Sequence, residues 1–293
     1  MTRLVDIVAA CGGEVLAGGR RARIPGPGHS PQDRSVSLVE TDDGRILIHC
    51  FSPGDDWREV AAALSAQGLL KQTPFAKTSA ALKPLAVIAG ARLERARRFW
   101  REGLPVSASI AQRYLAYRAV APAISKAPAL RFHPSMASLE DRLRRPALLA
   151  AILAPDGALQ GIEVTLLAAS GQSKAPLATP RRVIGKMMGG AIRLGQVEDA
   201  LLVGEGMESA ASAGAAFSLP AWALLSAQNL ARFAPPRQVR RLVVAIDNDA
   251  AGLAAWERLQ QRLGGALAIS CAPAPKGFND WNDWARFNKS QNP

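Results

Sequence analysis

The sequence is poor in residues that staple a chain or anchor it. Three cysteines, Cys11, Cys50 and Cys271, are spread over 293 residues. An odd, widely spaced set gives no disulfide framework and fits a reducing cytoplasm. No uninterrupted apolar run approaches the roughly 18–20 residues needed to cross a bilayer. The opening MTRLVDIVAACGGEV carries Asp6 inside its short apolar segment, so it makes a poor secretory signal. Tyrosines are scarce, and a nucleophilic tyrosine has only Tyr114 and Tyr117 as candidates. A Walker-type phosphate loop is missing too, because GKMMGG around Lys186 lacks both the spacing and the Ser or Thr after the lysine. No internal repeat or low-complexity tract stands out. The expectation is a cytoplasmic globular chain with no membrane partner, 48% hydrophobic and long enough for two domains or one with an appended module.

Charge is abundant and uneven. Lys and Arg total 36 against 24 acids, a net +12. Between Leu85 and Ala150 there are twelve basic residues and four acids, so +8 of that excess falls in under a quarter of the chain. A polyanion such as nucleic acid is the natural partner for such a field, although a solvated basic face has the same composition.

The chain reads as four pieces, 1–72, 73–125, 126–195 and 196–293. In the first, VSLVE and RILIHCF flank TDDGR as a hairpin, and WREVAAALSAQGLL reads as a helix. KQTPFAKTSAALKP (71–84) is linker-like. The second piece is a basic helical region. Leu93, Ala96 and Trp100 share one face and Arg92, Arg95 and Arg98 another, and ASIAQRYLAYRAV follows with Ser107 or Ser109 as N-cap. The third holds short strands in ALRFHP, ALLAAILAPDG and LQGIEVTLLA. The last alternates apolar strands (DALLVGEG, AWALLS, RRLVVAIDND, GALAISCA) with helices (MESAASAGAAF, AGLAAWERLQQRLG). That is the pattern of a parallel sheet covered on both faces, where function gathers at the carboxyl ends of strands.

Three acids fall at such ends: Glu205, then Asp247 and Asp249. As a calcium loop, Asp247, Asp249 and Gly252 fill positions one, three and six, but Ala251 lies at five and Arg258 at twelve, and the reading fails. A dinucleotide fold fails as well, since Ser209 replaces the third glycine after Gly204 and Gly206 and no acid follows among Leu224 to Asn229. A hard-metal site remains. Brought together, these carboxylates repel unless a cation neutralises them, and Mg²⁺ suits an all-oxygen shell shared with phosphates. The competing reading is that each acid caps the helix after it. In KGFNDWNDWARF, Asp280 and Asp283 either supplement that cluster or, for Asp280, cap the terminal helix, while Trp281 and Trp284 belong to a core.

GEGMES, AIDNDAAG and GFNDWND, in that order and at those intervals, resemble a Toprim domain, the metal-binding fold of bacterial primases, topoisomerases and some nucleases. RIPGPGHSPQDRSVSLVE, LIHCFSPGDDWREV, QRYLAYRAV, ALRFHP, GGAIRL and LPAWALLSAQNL extend the resemblance to the primase-like Toprim proteins of plasmids, phages and integrative elements. It implies an α/β fold: a C-terminal Toprim domain (196–293, a parallel sheet flanked by helices), a mixed α+β primase-type subdomain (126–195), a linker and basic helical region (73–125) and a small β-rich zinc-ribbon-like module (1–72). It implies Glu205, Asp247 and Asp249 as catalytic and Mg²⁺- or Mn²⁺-binding residues, with Glu208, Asp280 and Asp283 as supporting acids. The implied reaction is primer synthesis on single-stranded DNA from nucleoside triphosphates, with a separate helicase as a partner. Arg92, Arg95, Arg98, Arg131, Lys174, Lys186 and Arg193 are the candidate nucleic-acid or nucleotide contacts, or else surface cations. Two departures stand against the pattern. Of four zinc ligands only His29 and Cys50 are retained, with Ile24 at the first position and Gly54 or Asp55 at the last, so zinc is not expected. Glu163-Val164-Thr165 also stands where related chains carry His-Arg-Thr. The alternatives are a Toprim nuclease and a non-catalytic DNA-binding subunit of a mobile-element replication complex. Topoisomerase chemistry fits worse, with both tyrosines in a predicted helix.

Overall fold

In a computed structural model that describes residues 3–16, 19–41, 44–51, 56–70 and 85–291 (the side chains of 3 and 85–88 apart), the chain divides into two units, Met1–Ala81 and Leu82–Pro293. The expected linker at 71–84, the Asp43–Gly44 turn and the Gly54–Asp55 position lie wholly or partly outside the described residues.

In the first unit, strands β1 (Glu14–Val15), β2 (Arg21–Ile24), β3 (Val36–Glu40) and β4 (Ile46–Cys50) form an antiparallel meander in that order. The expected hairpin forms, with Val36 opposite Cys50 and Glu40 opposite Ile46. Alternation sends Ala22, Ile24, Val36 and Leu38 to one face. There they bury against Leu4 and Ile7 of helix α1 (Arg3–Cys11) and Val60 and Leu64 of α2 (Trp57–Ala66). Helix α2 was legible and is capped by Asp56. Helix α1 was not read from the sequence, although Leu4, Ile7, Val8 and Cys11 have the i, i+3, i+4, i+7 spacing that turns one side of it to the core. At the expected zinc positions, Ile24 is core and Cys50 is half-buried against that core. His29 Nδ1 lies 2.9 Å from Asp33 Oδ2, which also accepts from the Gly26 and Ser35 amides. The Ser35 hydroxyl and those amides hold the Asp33 carboxyl well below the usual range, so a carboxylate organises this loop.

The second unit opens with helices α3 (Leu85–Glu102) and α4 (Ile110–Tyr117), the latter capped by Ser109. An antiparallel sheet follows in the order β5 (Leu130–Ala137), β6 (Arg144–Leu153), β7 (Leu159–Leu166), β8 (Arg181–Gly185). Its two faces are covered by different partners. Met136, Ala147, Leu149, Ile162, Val164, Leu166 and Ile184 take Ala96, Phe99 and Trp100 of α3. Leu130, Leu148, Ala150 and Ile152 take Ala111, Tyr114 and Leu115 of α4, together with Met207, Ala210 and Ala211 of α5 (Met207–Phe217).

A second sheet has the order β13-β12-β10-β11-β9, from β9 (Ile192–Arg193), β10 (Ala200–Gly204), β11 (Ala221–Ala223), β12 (Arg241–Ile246) and β13 (Ala268–Pro273); only β9 runs antiparallel. Leu201, Val203, Leu242, Val244 and Ile246 pack on Ala255, Trp256 and Leu259 of α7 (Ala250–Leu263). Leu202, Val243, Ala245 and Ala272 pack on Ala213 of α5 and Trp281 of α8 (Trp281–Gln291). Burial on both faces explains the unbroken apolar runs LLV and LVVAI. From β10 the chain passes through α5 to β11 on one side. It then crosses through the short α6 (Ala227–Ala231) to β12 on the other side of β10. The winding direction therefore reverses between β10 and β12, which opens a crevice at their carboxyl ends. Among the described residues no helix is long and apolar enough to cross a membrane.

Candidate functional site

The register of the two central strands sets the first feature of the site. Gly204 of β10 lies opposite Ala245 of β12, so Glu205 and Asp247 leave adjacent parallel strands within about one residue of the same level, at the switch point. Asp249 follows as the N-cap of α7, its Oδ1 accepting from the Gly252 amide at 2.7 Å. Glycine is required at 252: a Cβ there would sit 2.9 Å from Asp247 O and 3.3 Å from Asp249 Oδ1. Asp280 Oδ1 accepts from the Asp283 amide at 2.7 Å in the first turn of α8. The capping reading therefore holds for one oxygen each of Asp249 and Asp280.

Electrostatics binds these acids into one group. Burial pushes the Glu205 carboxyl up, and the charges of Asp247 and Asp249 push it further. Asp247 is raised to about 6 by burial, then by Asp280, Asp249 and Asp283, against a hydrogen bond from Ser209 Oγ to its Oδ1 at 3.2 Å. Two site residues escaped the sequence reading. Ser209 sits one turn into α5 and resembles any helix serine. Asn248 donates through Nδ2 to the carbonyls of Ala274 and Phe278 and through its backbone amide to Asn279 O, tying the Asp247–Asp249 loop to the segment that carries Asp280. The repeated Asn-Asp pairs in AIDNDAAG and GFNDWND were the available signal. Among the described residues no three His, Cys, Asp or Glu side chains converge into a ready-made metal cage. The donor set nonetheless suits a hard divalent cation that keeps several waters and is held through one or two carboxylates, because it is all oxygen and burdened with unneutralised charge.

Glu208, expected among the supporting acids, is directed elsewhere. It is buried, accepts from the Tyr114 hydroxyl at 2.6 Å and pairs with Arg181 Nη2. Burial alone would raise its carboxyl, but Arg181, Tyr114 and Lys174 hold it at about 2. Arg181 also donates to Thr165 Oγ1 and lies 3.6 Å from Glu163 Oε1. Glu163, the departure from His-Arg-Thr, is buried with its Oε1 lacking a hydrogen-bond partner; burial raises its carboxyl despite Arg181. The Lys174 ammonium is pushed down by burial and by Arg181. Tyr114 (α4), Glu163 and Thr165 (β7), Arg181 (β8) and Glu208 (α5) thus form a buried polar tie between the antiparallel sheet and the helix that begins just after Glu205.

The other basic candidates divide by what they touch. The Arg131 guanidinium stacks on Trp100 and donates to Trp100 O at 2.7 Å, closing the end of α3. Arg193 stacks on Trp222 and donates to Ala154 O and Pro155 O. Both have packing work. Lys186 has no ion-pair partner among the described residues, and Arg98 pairs loosely with Glu102 at 3.7 Å. Arg92, Arg95 and Arg98 lie on α3, whose buried side packs on the sheet face opposite the one that meets α5.

A family model described as Toprim domain matches residues 200–289, and one described as a domain of unknown function (DUF7146) matches residues 90–194. Three solved structures share part of the chain path. A DNA primase domain from Pseudomonas aeruginosa is 14% identical, with 67% of this chain and 74% of that one covered and a TM-score of 0.45. The primase fragment of the bacteriophage T7 primase-helicase protein is 14% identical, with 60% and 70% covered and a TM-score of 0.42. A DnaG primase catalytic domain bound to ssDNA is 15% identical, with 70% and 77% covered and a TM-score of 0.46. No curated protein matches the chain. The Toprim match spans the parallel strands β10 to β13 and the carboxylates at their ends, so residues 200–289 of the chain form a Toprim domain.

Proposed function

We propose that the protein is a primase-like nucleotidyltransferase that makes short primers on single-stranded DNA from nucleoside triphosphates with Mg²⁺ or Mn²⁺. The observation that carries this reading is the pair Glu205 and Asp247, emerging side by side at the switch point of a Toprim domain with charges the chain itself does not neutralise. Asp247 and Asp249 hold the cation, and Asp280 and Asp283 add negative potential. A bound Mg²⁺ would neutralise the transferring α-phosphate and the departing pyrophosphate. Glu205, with its raised carboxyl, is suited to take the proton of the attacking 3′-hydroxyl. Ser209 and the α7 N-terminus fix Asp247 and Asp249 so that the charge is already in place when substrate arrives.

Incubation with single-stranded DNA, labelled nucleotides and Mg²⁺ or Mn²⁺ tests the reading. Template-dependent oligomers that fall at least about a hundredfold with Glu205→Gln, the scale of a lost general base, support it. A shortened template without oligomers would make the same acids those of a nuclease. Binding with neither product would make the chain a non-catalytic subunit.

A further inference from the structure

The chain concentrates its excess positive charge away from the carboxylates just described. In β8, successive residues point to opposite faces of the sheet. Arg181 points toward α4 and α5, where it pairs with Glu208, and Arg182 points toward α3. On α3, Arg92, Arg95, Arg97, Arg98 and Arg101 are exposed against two acids, Glu94 and Glu102. Glu94 is taken by Arg97 at 2.7 Å and Glu102 by Arg98 at 3.7 Å. Among the described residues Arg92, Arg95 and Arg182 have no carboxylate partner. Arg92 and Arg95 are three apart and share a helix side. Arg182 is half-buried, donates to Ala137 O at 2.7 Å and is made less basic by burial and then by the charge of Arg95. Two guanidinium groups that repel one another across a helix–sheet seam, one partly desolvated, do nothing for stability. They do suit an external polyanion, and guanidinium groups match phosphate in particular.

We infer that Arg92, Arg95 and Arg182 form a second nucleic-acid contact, which grips the phosphate backbone on the sheet face opposite α5 and Glu205. It rests on the reading above only in taking the polyanion to be nucleic acid. The contact is electrostatic and carries no base specificity, and it holds a part of the strand distinct from the part at the carboxylates.

Anisotropy titrations of the full chain with a labelled single-stranded oligonucleotide, and with its duplex, over a range of salt concentration count the phosphates held. Each contact on a single strand contributes about 0.7 to the slope of log affinity against log salt. The triple variant Arg92→Gln, Arg95→Gln, Arg182→Gln should flatten that slope by about 2. The double variant Arg92→Gln, Arg95→Gln, which changes only exposed side chains, should flatten it by about 1.4 and guards against a folding defect from Arg182. Arg95→Lys, which keeps the charge, should retain the wild-type slope. The larger loss with single strand or with duplex shows which one the surface holds. A wild-type slope in the triple variant overturns the inference, and so does binding confined to anionic lipid vesicles. Primer synthesis reports separately: primers with an unchanged slope sink this surface alone, whereas a flattened slope without primers leaves it standing and sinks the polymerase.

Discussion

Glu205 and Glu208 stand three residues apart around the start of α5, and their charges meet opposite surroundings. Glu208 is wholly buried, yet its carboxyl is held down, because Arg181 and the Tyr114 hydroxyl come with the fold. Glu205 is only half-buried, yet its carboxyl is pushed up, first by that burial and then by Asp247 and Asp249, with no cation to answer either. Burial therefore does not separate the structural acid from the functional one. The separation lies in whether the chain supplies the counter-charge or leaves it to be supplied from outside.

Removing the internal counter-charge should break the comparison most severely. Arg181→Met leaves Glu208 and Glu163 buried without their cation, and a broken buried pair costs about 3–5 kcal/mol. Urea unfolding should show that loss, and adding Glu208→Leu to Arg181→Met should recover much of it by removing the stranded charge. A loss below about 1 kcal/mol would mean that the network ties nothing together.

Acid titration sharpens the same contrast with a slightly smaller effect. The Glu208 carboxyl sits at about 2 in the fold, below its unfolded value. The stability it contributes is therefore complete above the unfolded value of about 4.3 and is lost as pH falls through 2, roughly 3 kcal/mol in all. Glu163 works the other way: its raised carboxyl costs stability at neutral pH, and that cost fades on acidification. Stability measured from pH 6 down to pH 2 should therefore fall less steeply in Glu208→Gln than in the wild type. Parallel curves would place the acid sensitivity elsewhere.

The two carboxylates were not equally legible in the sequence. Glu205, Asp247 and Asp249 follow apolar runs that alternate with helices, the pattern of a doubly covered parallel sheet, so their shared edge was readable from β10 and β12 alone. Glu208 was grouped with them through the resemblance of GEGMES to the family motif, since nothing local marks a helix side that turns from the crevice toward another sheet. Its partner lies in RRVIG, which two arginines disguise as surface although it is strand β8. Pairings such as Arg181–Glu208 and Tyr114–Glu208 depend on register across a sheet and on which face a residue takes. The basic helix has the same history: its charge was plain, but its position on the far face followed only from the alternation of Leu148 and Leu149 between two cores.

The smallest expected effect is a gain of stability, where most substitutions cause a loss. Asp247 is raised to about 6 by burial and by Asp280, Asp249 and Asp283, so above that pH its charge burdens the folded state. Asp247→Asn keeps an oxygen for the Ser209 hydroxyl while removing that charge. Because the group is part-exposed and solvent-screened, the gain in unfolding free energy at pH 7.5 without divalent cations should be about 1 kcal/mol, shrinking as pH falls through 6 toward 4. Added Mg²⁺ should raise the melting temperature of the wild type, because a cation bound only to the folded state stabilises it, and should do so far less in the variant. The wild type and the variant would then converge in stability as Mg²⁺ is added. Glu208→Gln should leave the Mg²⁺ response in place, because its charge is already answered by Arg181. A variant of Asp247 that is less stable without cations would mean that the carboxylate is anchored by the fold as Glu208 is, and the distinction between the two acids would fail.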